Sequence, residues 1–94
     1  MTAPLHDPDL HNALSGLPEW KLQDKAIHRV FEFRDFSRAL EFVNKVAEEA
    51  EEANHHPDIT INYNRVTLSL TSHDAGGLTK RDVALARKIS SLAA

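Results

Sequence analysis

Cysteine is absent from the sequence. That excludes a disulfide framework, a thiol nucleophile and any zinc site built on thiolates. Only three glycines and four prolines punctuate the chain. No internal repeat, low-complexity segment or long linker divides it. No apolar run approaches the ~20 residues of a membrane-spanning helix. The start, "MTAPLHDPDL", has neither a basic cluster nor an apolar stretch, so no signal peptide is expected. A basic stripe is missing too. The net charge is −3 and the basic residues are scattered, which argues against a nucleic-acid partner. A cytoplasmic location fits these absences.

What remains is a 94-residue chain of ordinary globular composition. It reads as one domain over residues 1–94, with residues 1–6 a loose arm. A chain of this size buries only about 60–65% of the surface its unfolded form exposes. Self-association, as a homodimer or homotetramer, is a common remedy.

"DPDLHNALSG" reads as a short helix, capped by Asp7 or Asp9 and ended by Gly16. Leu10, Leu14 and Leu17 share one face. "EWKLQ" and "AIHRVFEFR" read as strands; in the second, Ile27, Phe31 and Phe33 share a parity. "DFSRALEFVNKVAEEAEEA" is the clearest helix. Asp35 is its N-cap, and Phe36, Leu40, Val43, Ala47 and Ala50 form its expected apolar stripe. Pro57 ends the run. "DITINYNRVTLSLTS" is a hairpin turning at Asn64-Arg65. Ile59, Ile61 and Tyr63 face one way, with Tyr63 expected in the core; Val66, Leu68 and Leu70 alternate with polar residues. "HDAGG" is a loop, and "LTKRDVALARKISSLAA" the last helix. Thr79 and Asp82 have capping-box spacing there, Leu78 and Val83 that of a hydrophobic staple, and Leu85, Ile89 and Leu92 mark its buried face. The order α-β-β-α-β-β-α predicts an α+β fold, an antiparallel sheet covered by helices on one side.

Six histidines are many for this length. In "NHHP", His55 and His56 sit at the end of the long helix, just before the hairpin. The first hairpin strand runs away from them and the second returns, so His73 comes back to the same end of the sheet. Polar loop residues, a metal site and general acid–base catalysis all remain open at this point. Neighbouring histidines diverge, which is awkward for a metal. Imidazole exchanges protons near neutral pH, which suits acid–base work. Glu48, Glu49, Glu51 and Glu52 crowd the last turns of the helix and oppose its dipole. A cation beside them is favoured on both counts.

Glu51-x3-His55-His56-Pro57-x5-Tyr63-x9-His73-x8-Asp82 resembles the signature of the pterin-4a-carbinolamine dehydratases. Trp20, "FEF" at 31–33, Phe36, "HHPD" and "GLTKRD" extend the resemblance to roughly residues 14 to 92. It implies four antiparallel strands with three helices on one face. It also implies a hydro-lyase that dehydrates 4a-hydroxytetrahydrobiopterin to quinonoid dihydrobiopterin, recycling the pterin of aromatic amino acid hydroxylases without metal or organic cofactor. By resemblance His55, His56 and His73 are catalytic. His55, His56, Pro57, Ser72, His73, Asp74 and Ala75 line the pterin pocket, and Glu51 and Asp82 support it. Asp82 is open between a helix cap and contact with a histidine. The alternative is a binding role on the same fold. By the same resemblance, animal relatives also act as a dimerisation cofactor for a homeodomain transcription factor.

Overall fold

A computed structural model describes residues 3–93. Helix α1 spans Asp9–Ser15 and strands β1 and β2 span Lys21–Gln23 and Ala26–Glu32. Helix α2 spans Phe36–Ala53, strands β3 and β4 span Asp58–Asn62 and Arg65–Leu70, and helix α3 spans Lys80–Ala93. The sheet is antiparallel throughout, in the order β1-β2-β4-β3. The expected element order and fold class are therefore found.

Period-two alternation in β2 and β4 turns Ile27 and Phe31, with Val66, Leu68 and Leu70, into the core. Ile27 pairs with Leu70 and Phe31 with Val66 across the two central strands. Leu85, Ala86 and Ile89 of α3 and Ala39, Phe42 and Val46 of α2 complete one cluster. Trp20, Phe31, Phe42 and Phe33 form a chain of ring contacts through it, with centroids 4.7–6.2 Å apart. The guanidinium of Arg29 lies 4.2 Å from the centre of the Phe31 ring, which explains a cation at a core-facing parity.

The structure corrects several expectations. Helix α2 carries two adjacent apolar stripes, and the buried one is Ala39, Phe42, Val46 and Ala50. Of the predicted stripe, Phe36, Leu40 and Ala47 are exposed, Val43 is half-buried and only Ala50 is buried. The buried stripe packs Phe42 and Val46 into the core cluster, with Val43 packed against it from the side. The hairpin turns at Tyr63-Asn64, since Asn62 pairs with Arg65. Tyr63 takes the positive φ, 55°, and is 65% exposed, so it is not a core residue. Asn64 instead ties the turn to β2's end, its Nδ2 donating to the Phe33 carbonyl at 2.8 Å. No aspartate side chain caps α1, whose N-cap position is Pro8. The expected loose arm is pinned by Leu5, whose N–H donates to the Leu78 carbonyl at 2.7 Å. Met1 and Thr2 of that arm lie outside the described residues.

Candidate active site

Local chain chemistry places the two adjacent histidines. Asp35 caps the start of α2, accepting from the Arg38 N–H at 2.9 Å. At the other end Asn54 adopts the left-handed conformation, φ 50°. Its N–H donates to Glu51 O, and the His55 N–H donates to Ala50 O. These two bonds are a Schellman motif, so Asn54 ends the helix before Pro57 is reached. The reversal turns His55 inward and leaves His56 outside.

His55 is buried, 9% exposed, and its Nε2 lies 2.5 Å from Asp82 Oδ1. Asp82 is wholly buried in the first turn of α3. Its second oxygen, Oδ2, accepts from the Ser72 hydroxyl at 2.8 Å and from the Thr79 N–H at 2.9 Å. Thr79 in turn accepts from the Arg81 N–H, completing the predicted capping box. Asp82 therefore does both of the things left open by the sequence. It caps α3 with one oxygen and holds His55 with the other. A carboxylate only accepts, so the Nε2 of His55 is the donor in this pair.

His56 is exposed, and its Nε2 hydrogen-bonds Glu51 Oε2, one turn back on α2. Pro57, the next residue, is half-buried and leads into β3. Asp58 pairs with Ser69, so the start of β3 and the end of β4 lie side by side. His73 follows β4 in a 3-10 turn, His73–Ala75. It is exposed and lines a groove of about 260 Å³ with Lys25, Ala26, Thr71, Gly76 and Gly77.

The predicted residues thus divide. His55, Asp82 and Ser72 are one hydrogen-bonded unit; His56 and Glu51 are another. His73 touches neither unit through a side-chain hydrogen bond among the described residues, and shares with them the end of the sheet. Ser72 is buried, and its backbone N–H and carbonyl are both hydrogen-bonded to Gly77. Asp74 points to Arg81, Oδ1 to Nη2 at 2.7 Å, and this hydrogen bond holds its carboxyl below the usual aspartate value. Arg81 escaped the sequence reading, although its place seven residues after Asp74 was visible. Among the described residues no group of three or more histidine or acidic side chains is placed to hold a metal ion. Among the described residues no helix is long and apolar enough to cross a membrane.

Comparison with known proteins identifies the family. Residues 3–92 match the family model described as pterin 4 alpha carbinolamine dehydratase. A Thermomicrobium roseum protein named for pterin-4-alpha-carbinolamine dehydratase activity is 55% identical, over 97% of this chain and 98% of its own. One of the same name from Acidobacterium capsulatum is 61% identical over 88% of this chain and 90% of its own. A transcriptional coactivator/pterin dehydratase from Brucella melitensis superposes with a TM-score of 0.92 at 38% identity, covering 97% of this chain and 99% of that one. A pterin dehydratase-like protein identified as a RuBisCO assembly factor in the alpha-carboxysome shares the fold alone. Its TM-score is 0.65 at 21% identity, covering 79% of this chain and 86% of that one. The chain belongs to the pterin 4 alpha carbinolamine dehydratase family, a family of hydro-lyases.

Proposed function

We propose that the protein dehydrates 4a-hydroxytetrahydrobiopterin to quinonoid dihydrobiopterin by general acid–base catalysis from its histidines, so returning the pterin to aromatic amino acid hydroxylases. The observation that carries the reading is the pairing of two neighbouring imidazoles with carboxylates from different elements, His55 with Asp82 and His56 with Glu51. Oriented rings beside a third histidine are what two proton transfers on one small substrate require.

The reaction breaks the C4a–O bond, and the hydroxyl leaves as water with a proton from an imidazolium. The N5–H proton passes to a neutral imidazole, and its bonding pair becomes the C4a=N5 double bond. Each well-placed acid or base typically contributes about 10²–10⁴-fold. His55 is held rigidly, so its task is to receive a hydrogen bond from the pterin at Nδ1. His56 and His73 are the exposed pair that exchange protons. Pro57 and the backbone of Ser72, His73, Asp74 and Ala75 form the walls. The side chain of Asp74 is committed to Arg81. No cofactor enters this scheme. In the cell it calls for a pterin substrate, a hydroxylase that supplies it and a cytoplasmic setting.

A direct assay with freshly generated carbinolamine tests the proposal. Turnover above the uncatalysed rate, unaffected by a strong chelator, is expected. Turnover abolished by chelation and restored by zinc would replace it with a metal mechanism. The Brucella melitensis neighbour, named both coactivator and dehydratase, favours a second reading, an adaptor role on the same fold. A chain that binds a transcription factor and leaves the carbinolamine untouched would support that reading instead.

A further inference from the structure

We propose that Arg81 is a positioning residue for this reaction, acting through Asp74 on the turn that carries His73. The inference rests on the catalytic role given to His73 above. The His73 side chain is exposed, so its direction is set by the backbone beneath it. That backbone is a short 3-10 turn closed by its own amides. Ala75 N–H donates to Ser72 O, and Gly76 N–H to His73 O, both at 3.1 Å. Gly76 ends the turn at φ 76°, and Ser72 and Gly77 exchange backbone hydrogen bonds at 3.1 and 3.2 Å. A turn this small has little stability of its own.

Side chains from the first turn of α3 hold it on both flanks. Ser72, just before His73, is held by Asp82. Asp74, just after it, is held by Arg81 at 2.7 Å. His73 therefore lies between two residues anchored to one rigid helix end. The Arg81 Nε is buried with no acceptor among the described residues, so the Asp74 contact is what orients the guanidinium. Electrostatics alone would not place an arginine there, because a cation at a helix N-terminus opposes the dipole. Asp74 offsets that cost, and its own lowered proton affinity keeps the contact ionised in mild acid.

Amide hydrogen exchange of the whole chain, read by NMR, tests the contact independently of activity. An ion pair this exposed shifts an equilibrium by up to about fivefold. In Arg81→Ala, exchange at Ala75, Gly76 and Gly77 should rise by roughly that factor, with the core amide of Leu68 unchanged. Asp74→Asn tests the same contact from its other side and should give the same pattern. In the dehydratase assay kcat should fall by a similar factor with KM nearly constant, and Arg81→Lys should recover part of it. In a His73→Ala background, Arg81→Ala should cost nothing further. Unchanged exchange at the turn overturns the proposal. So does a kcat loss that is equally large without the His73 imidazole. A wild-type chain with no turnover overturns the dehydratase reading instead, and the exchange pattern alone then decides whether Arg81 holds the turn.

Discussion

His55 Nε2 and Asp82 Oδ1 meet at 2.5 Å across 27 residues of sequence, joining the end of α2 to the start of α3. The contact is buried and charge-assisted, so each partner depends on the other. Asp82→Ala removes half of the capping box of α3, the acceptor of the Thr79 N–H, and takes the carboxylate partner from the Ser72 hydroxyl and the His55 ring. Each buried partner left unsatisfied costs about 1–3 kcal/mol, and Asp82→Ala leaves several. His55→Ala leaves one buried carboxylate oxygen unpaired, a loss of about 1–3 kcal/mol. Urea unfolding of the two variants should rank them in that order. Equal midpoints for Asp82→Ala and wild type would show that the contact is dispensable.

Asp35 supplies a pH-dependent part of the stability. The Arg38 N–H, above all, holds its carboxyl below the ordinary aspartate value of 3.8. A group whose proton affinity falls on folding stabilises the fold above its unfolded pKa, and loses that effect as pH drops through the folded value. Asp35→Ala should therefore lower the unfolding midpoint at pH 7. The gap from wild type should narrow as pH falls below 3.8. Asp35→Asn keeps a capping oxygen and should remove mainly the pH dependence. A gap that stays constant from pH 7 to pH 2 would contradict this account.

The sequence made the topology legible because its periodicities are local. Alternation at Val66, Leu68 and Leu70 and the capping spacing of Thr79 and Asp82 are both found where expected. Motif spacing singled out His55, His56 and Asp82, and the structure pairs His55 with Asp82 and His56 with Glu51. What failed were choices that depend on neighbours. Phe36 and Leu40 looked like core because they are large, yet the buried face of α2 is the neighbouring stripe of Ala39, Phe42, Val46 and Ala50. Tyr63 followed the parity of Ile59 and Ile61, but the strand ends one residue before it. The burial of His55 and the Asp74–Arg81 contact are tertiary facts with no local signature.

Strand β3 is an edge of the sheet, and it leaves Ile59 and Ile61 more than a third exposed beside the open Tyr63. Unpaired edges with apolar side chains favour partners. The protein should be a homodimer or homotetramer in solution. Light scattering at micromolar concentration should give a multiple of the 10.5 kDa chain mass. Ile61→Lys should reduce that mass by placing a charge on the edge. A monomer mass for the unaltered chain would rule out self-association.

Removing proton carriers should separate the roles of the three histidines. His56→Ala and His73→Ala take away exposed rings, so both should fold normally. Each should lower kcat/KM by roughly 10- to 1000-fold, within the span of acid–base groups. Neither should be inert, because water or the remaining imidazole carries part of the proton traffic. His55→Ala should act more on KM, and unlike the other two it should also destabilise the chain, since this ring is buried against Asp82. Glu51→Gln keeps the size of the His56 partner but removes its charge. It should fall between wild type and His56→Ala in rate. The double variant His56→Ala/His73→Ala should lose nearly all catalysis, without its loss equalling the sum of the singles. Circular dichroism establishes folding before rates are compared. A folded double variant that matches the wild-type rate would leave the histidines with no part in the chemistry.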